Sequence, residues 1–249
     1  MLYLCGVKIA RCIAFVVIAA AAVLWLRMPI FTGALTKQTL FVAVHDALNL
    51  RERSEPTLMW IDDDGGQGVM SVKRLSDEFG MFASFAIAPA LLDDAVADSL
   101  RRWQQQGFGI VLHGMRHELW RDWTEQQIEA DIRESRKALS AMGFDTLRLQ
   151  PIIVPPYAAN TQTVRKVIGK CGCKMVTGAQ LVNPSPDVPY WGRLWIDRAT
   201  STEEVKRVLL RVKETGGFIV LGTHSSNSEE FSEEKMRAVL QMAKKFGYI

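Results

Sequence analysis

The chain has 249 residues, enough for one large domain or two small ones at roughly 150 residues each. With 48% hydrophobic and 23% charged residues it has the balance of a folded globular protein, not of a disordered one. The net charge of +3 belongs to the N-terminus: residues 1–45 hold Lys8, Arg11, Arg27 and Lys37 and no acid, leaving 26 basic against 27 acidic side chains in the remaining 204. So neutral a body lacks the concentrated basic face that nucleic acid requires, and no nucleic-acid partner is expected.

From Cys12 to Leu26 the chain runs without a charge, with Lys8 and Arg11 before the run and Arg27-Met28-Pro29 after it. A membrane-spanning helix needs about 20 apolar residues. That length is reached by extending back through Ile9, with Arg11 snorkelling, or forward to Phe31. Residues 1–32 therefore read as a hydrophobic helix anchoring the protein in a membrane, its basic end in the cytoplasm and the rest of the chain outside. A signal peptide cleaved at Ala20-Ala21-Ala22 is the alternative, giving a secreted or periplasmic protein. Residues 33–55, polar toward their end, read as a linker or lead-in. Cys5 and Cys12 lie in the N-terminal segment, and Cys171 and Cys173 are too close for an unstrained bridge. They read as thiols beside a glycine turn, not as a disulfide framework.

Residues 56–249 read as one domain of alternating elements. In chain order, strands are expected at Leu58–Ile61 and Phe82–Ile87, a helix at Asp93–Gln106 and a strand at Gly109–Leu112. The helix Thr124–Met142 follows, with Thr124 and Gln127 as a capping box and Gly143 as its stop. Next come strand Leu149–Val154, helix Thr161–Lys170, and strands Lys174–Thr177 and Leu194–Ile196. Helix Thr202–Glu214 (Glu203 and Glu204 suiting its N-terminus), strand Phe218–Leu221 and helix Ser232–Phe246 complete the pattern. Strand and helix alternating over this length define a parallel α/β domain, open or closed.

The chemistry collects directly after the strands. Ile61 leads into Asp62-Asp63-Asp64-Gly65-Gly66, and Leu112 into His113-Gly114-Met115-Arg116-His117. Val154 leads into Pro155-Pro156-Tyr157, and Leu221-Gly222-Thr223 into His224. In parallel α/β folds, ligand and catalytic groups gather at the carboxyl ends of strands. His113 and His117 are spaced to meet one ion across a single turn. With one carboxylate they make a three-ligand catalytic metal site with an open position. Three adjacent acids after a strand as apolar as Leu58–Ile61 are costly unless a cation or donor compensates them.

At these residues the sequence resembles the polysaccharide deacetylases, the NodB-homology or carbohydrate esterase family 4 enzymes, over roughly residues 57–249. Asp63-Asp64-Gly65 is similar to the family's first motif, and Phe79–Phe85 to its second strand after a helix. His113-Gly114-Met115-Arg116-His117 resembles its H-S/T-x-x-H motif and Pro155-Pro156-Tyr157 its third. Trp195-Ile196-Asp197 resembles the fourth, and Thr223-His224 the fifth. The resemblance implies an irregular (β/α) barrel of seven or eight strands. It implies that Asp64, His113 and His117 bind a divalent metal, commonly Zn²⁺, and that Asp63 is the general base. A backbone N–H near Tyr157 would help the metal stabilise the oxyanion, and His224 would protonate the leaving amine. A catalytic imidazole needs a partner on its other nitrogen, for which Asp197 or Arg198 is expected. The triplet's register stays open between Asp62-Asp63 and Asp63-Asp64, with Gly65 favouring the second.

The chain departs from the family pattern at several points. Val154 stands where an arginine usually pairs with the base, and Arg193 or Arg198 would have to supply that charge. Gly114 replaces Ser or Thr, Ala158 replaces a common glycine, and Gly222 replaces a leucine two residues before the last histidine. Tyr157, Pro156 and Trp191 are expected to bind substrate, aromatic faces being suited to sugar rings. Tyr190 and Trp195 are near, Trp195 with core packing as the rival reading. Trp120 and Trp123 are either a groove wall or a helix cover, and His45 has no evident partner.

The expected activity is metal-dependent removal of acetyl groups from N-acetylated glycans outside the cytoplasm. The alternatives are a catalytically silent glycan-binding relative and an O-acetyl esterase on the same scaffold.

Overall fold

The computed structural model describes residues 30–49 and 52–249, so the uncharged run Cys12–Leu26 and the anchor read from it lie outside the described residues. Among the described residues no helix is long and apolar enough to cross a membrane. The elements begin with β1 (Ile30–Phe31), α1 (Lys37–Leu48), β2 (Thr57–Asp64), α2 (Val69–Phe79) and β3 (Ser84–Ile87). They continue with α3 (Asp94–Gln106), β4 (Gly109–Leu112), α4 (Glu125–Ala141), β5 (Ile152–Ile153), α5 (Gln162–Lys170) and β6 (Lys174–Val176). The last are β7 (Leu181–Val182), β8 (Tyr190–Trp191), β9 (Leu194–Trp195), α6 (Thr202–Thr215), β10 (Phe218–Thr223) and α7 (Glu233–Phe246).

Eight strands form one sheet in the order β8-β6-β5-β4-β3-β2-β10-β9, parallel throughout. The edge strands β8 and β9 are separated in sequence only by Gly192 and Arg193. One segment therefore serves both edges, and the sheet curls into an irregular half-barrel. Side-chain alternation divides two cores. Trp60, Phe85, Ile87, Ile110, Leu112, Ile219 and Leu221 face outward into the layer shared with the helices. Ile61, Ala86, Val111, Ile152, Val154, Val176, Trp191 and Val220 face inward and fill the barrel.

Several elements differ from expectation for local reasons. Strand β5 is only Ile152–Ile153, because Pro151 before it has no N–H to donate to a ladder. Strands β1, β7 and β8 are two residues long, too short to show a period. Within the expected lead-in 33–55, α1 forms and packs. Thr36 caps it by accepting the Thr39 N–H, and Val42 and Ala43 are fully buried with Ala179 and Leu181. His45 gains a partner there, its ring 4.8 Å from that of Tyr190. The α4 capping box forms as read, Thr124 and Gln127 bonding reciprocally.

Candidate active site

Alternation along β2 separates the three aspartates. Asp63 shares the inward face of Ile61, whereas Asp62 lies on the face of Trp60. There Asp62 is fully buried and accepts hydrogen bonds from Thr223 Oγ1 (2.6 Å), the Ser225 N–H (2.9 Å) and Ser225 Oγ. Burial pushes its carboxyl up to about 7 despite those donors. It stitches β2 to the end of β10, and Trp60 Nε1 extends the network by donating to Thr223 Oγ1. Asp62 thus turns away from the cleft, and the Asp63-Asp64 register is the one that faces it.

Asp64 ends β2 in the left-handed region, φ 81°. Its Oδ1 lies 3.2 Å from His113 Nε2 and 3.4 Å from His117 Nε2. Asp64 Oδ1 and His113 Nε2 are nonetheless both buried without a hydrogen-bond partner. His113 Nδ1–H donates to the Val154 carbonyl at 2.7 Å, so in the neutral ring Nε2 is the lone-pair nitrogen and points at Asp64. Two orphaned atoms converging on a second imidazole fit a divalent cation, and the three ligand atoms lie within 4.8 Å of one another. Zn²⁺ accepts such an N₂O set.

Burial alone lowers the His113 imidazole, but the adjoining Asp64 and the Asp63 charge outweigh it and raise its pKa above the ordinary value. Asp64 moves the other way. Burial raises it, yet His113 and the other imidazoles win and hold it below the usual carboxylate range. Burial and the His113 charge lower His117.

The loop carrying the histidines is not the helical turn their spacing suggested. Gly114 takes φ 75° and His117 φ 55°. A Cβ at Gly114 would sit 2.9 Å from Pro156 Cγ, which explains glycine at this family Ser/Thr position. Asp131 of α4 holds the loop by accepting the Met115 N–H at 2.8 Å. Among the described residues the non-glycine positions with positive φ are Asp64, His117, Tyr157 and Ala158, and all four line one cleft of about 450 Å³. Such conformations cost roughly 1–3 kcal/mol each, so backbone strain is concentrated at the cleft.

Asp63 and Arg193 form a buried ion pair on the cleft floor, Arg193 Nη1 donating to Asp63 Oδ2 at 2.7 Å. Asp63 Oδ1 has no hydrogen-bond partner. The room for Arg193 comes from Gly222: a Cβ there would meet Trp195 Cε3 at 2.6 Å and Arg193 Cδ at 3.0 Å. The arginine missing at Val154 and the leucine missing at Gly222 are thus one rearrangement, in which Arg193 and Trp195 enter the space from the neighbouring segment. The Arg193 guanidinium carbon stands 4.8 Å from the Trp195 ring centroid, and that ring lies edge-on to His224 at 4.6 Å. His224 Nε2 is 3.7 Å from Asp63 Oδ2, and its Nδ1–H donates to Glu230 Oε2 at 3.0 Å.

Other expected site residues lie elsewhere. Asp197 does not orient His224; its carboxylate accepts from the Thr200 N–H and Oγ1 at 2.7 and 2.8 Å. Arg198 is exposed, donating from Nε to the Ser228 carbonyl. Glu230 takes the orienting position because Asn227 N–H bonds back to the His224 carbonyl and Glu230 N–H to that of Asn227, coiling the loop under the ring. Trp191 is not a cleft aromatic. It is buried inside the barrel against Phe218, with Nε1 donating to the Pro186 carbonyl. Pro156 is buried against Gly114, while Tyr157 lines the cleft and is 65% exposed, its ring 4.6 Å from His117. Trp120 is fully buried and Trp123 packs against the same core, which makes them a helix cover.

The polysaccharide deacetylase family profile matches residues 51–176, and the chain belongs to this family of hydrolases, the NodB-homology or carbohydrate esterase family 4 group. No curated protein matches it. Solved structures that it resembles include the chitin deacetylase of the fungal pathogen Colletotrichum lindemuthianum, 14% identical with a TM-score of 0.59, covering 79% of this chain and 85% of that one. A family 4 acetyl xylan esterase from Clostridium thermocellum, in complex with a cobalt ion, is 16% identical with a TM-score of 0.58, covering 77% and 85%. The catalytic domain of a peptidoglycan N-acetylglucosamine deacetylase from Eubacterium rectale is 17% identical with a TM-score of 0.52, covering 80% and 90%. At these identities the likeness establishes the fold.

Proposed function

We propose that the protein is a metal-dependent hydrolase that removes acetyl groups from N-acetylated glycans outside the cytoplasm. The observation that carries this reading is the buried Asp63–Arg193 pair standing beside the Asp64, His113 and His117 cluster, with His224 across the cleft. Asp64, His113 and His117 would hold the metal, for which Zn²⁺ suits the donor set. When bound, it supplies Lewis-acid polarisation of the acetyl carbonyl and acidifies water. Arg193 fixes Asp63 through Oδ2, leaving Oδ1 to accept the proton of the attacking water. A backbone N–H at Tyr157 would face the developing oxyanion. Glu230 holds the His224 ring by Nδ1, so that Nε2 is turned toward the cleft to protonate the departing amine. The products are acetate and the free amine. Action outside the cytoplasm rests on the basic, then uncharged, N-terminal segment.

Acetate release from N-acetylglucosamine oligomers, measured beside release from O-acetylated xylan fragments, tests the reading. Release from the N-acetyl substrate supports it. Release from the O-acetyl substrate alone would make the protein an esterase, and binding of glycan without any release would make it a silent relative.

Two expectations follow from the site. Because His113 must surrender its proton to a metal and its pKa is raised, divalent-metal affinity falls as pH drops through that raised value, with proton uptake on metal release. Calorimetric titration in buffers of different ionisation enthalpy checks the sign; affinity independent of pH would contradict it. Replacing Gly222 by leucine should push Trp195 and Arg193 from their places. We expect kcat to fall on the order of 10–100-fold with metal affinity unchanged, and stability to drop by about 1–3 kcal/mol, read by steady-state kinetics and urea unfolding.

A further inference from the structure

Residues 30–49 lie outside the segment that matches the family profile, yet they buttress one wall of the cleft from behind. Gln38 Nε2 donates to the Ala158 carbonyl at 3.1 Å. Ala158 and Tyr157 are consecutive left-handed residues, φ 51° and 53°, so this turn is strained and needs an external hold. Gly178 makes the hold possible: a Cβ there would lie 2.9 Å from Gln38 Oε1 and 3.1 Å from Ala158 Cβ. One residue on, fully buried Thr39 accepts the Gln180 N–H on Oγ1 at 3.2 Å, while the Gln180 carbonyl accepts the Thr32 N–H at 3.0 Å. Both peptide groups of a cleft residue are therefore tied to this one segment. Strands β1 and β7 pair just beyond, and the Arg165 guanidinium of α5 covers the Phe41 ring at 4.1 Å. Tyr157, Ala158, Gly178 and Gln180 all line the cleft that holds Asp63 and the metal-ligand cluster.

We infer that α1 is a positioning element of the active site, and that Gln38 is the residue that fixes the Tyr157–Ala158 turn against the reacting group. Gln38 touches no reacting atom; it acts through the backbone of Ala158. The inference rests on the deacetylase reading for its catalytic consequence and on geometry alone for its structural one.

The test uses the full chain with Gln38→Leu, which fills the same space without a donor, and Gln38→Glu, which keeps the length and also lacks one. Amide hydrogen exchange is followed at residues 157–160 and 178–180, with β3 and β4 as internal references, beside metal affinity and acetate-release kinetics. Expected is exchange faster by about tenfold or more at both loops, with the reference strands and metal affinity unchanged. In the same variants kcat, expressed per metal-loaded site so that any unfolded fraction is not counted, should fall about tenfold while KM stays within roughly twofold. Unchanged exchange at 157–160 in either folded variant overturns the inference. If the unaltered protein releases no acetate, the deacetylase reading fails by itself, and the exchange result still decides what α1 does.

Discussion

Asp63→Asn should reduce acetate release by roughly 10³-fold or more in kcat while one metal per chain is still bound, because general-base catalysis contributes about 10²–10⁴-fold. Asparagine keeps the shape of the side chain and an acceptor for Arg193 Nη1, so the cleft floor is preserved. What it lacks is basicity at Oδ1, the carboxylate oxygen left without a hydrogen-bond partner. The metal ligands are other residues, and Asp63 is not among the three that converge. Metal content by elemental analysis and kcat on N-acetylglucosamine oligomers separate the two effects. Loss of metal together with loss of activity would move Asp63 into the ligand set and reopen the register of the triplet.

Arg193→Met should also be strongly damaging, and in a different way. It leaves the Asp63 carboxylate, 1% exposed, on the barrel floor without its counter-charge. Breaking one side of a buried pair costs about 3–5 kcal/mol. We expect a stability loss of that order by denaturant unfolding and a fall in kcat of roughly 100-fold, less than for Asp63 because Arg193 acts through the base. Methionine fills the space over Gly222, so the loss reports on charge rather than on a cavity. Val154 shares the inward face and occupies the position where the resembled motif carries arginine. Adding Val154→Arg to the Arg193→Met protein should recover part of the lost rate if a charge near Asp63 is what matters. Full activity in Arg193→Met alone would remove Arg193 from the mechanism.

Much of this site was visible in the chain because its chemistry follows immediately on apolar runs. Ile61 into the aspartates, Leu112 into His113 and Leu221 into His224 are junctions where a buried strand stops and polar groups begin, and a parallel sheet collects such junctions on one edge. The register of the triplet was not visible. It depends on which of two faces each aspartate takes, and only the barrel's inner and outer clusters define those faces. Arg193 was legible as one of two possible replacements for the absent arginine, but the reason for choosing it lies in the missing side chain of Gly222, a contact across strands. Glu230 was illegible. It reaches His224 through a coiled loop with no repeating spacing, whereas Asp197, nearer to a familiar motif, is spent on Thr200. Trp191 misled because an aromatic beside a site looks like a sugar platform. Its parity places it with Ile61 and Val220, inside. Helix α1 was hidden by composition: Leu40, Phe41, Val42, Ala43 and Val44 run round the helix without an amphipathic period, and the polar residues after them read as a linker. The Thr36 cap was the one available signal.

In the proposed mechanism Asp64, His113 and His117 hold a divalent metal on which glycan deacetylation depends. Its most direct test is acetate release from N-acetylglucosamine oligomers by the protein stripped with chelator, then reloaded with Zn²⁺, with bound metal counted at each stage. The expected result is no release from the stripped protein, return of activity at one metal per chain, and neither binding nor return in His113→Ala. Undiminished release from metal-free protein would contradict it.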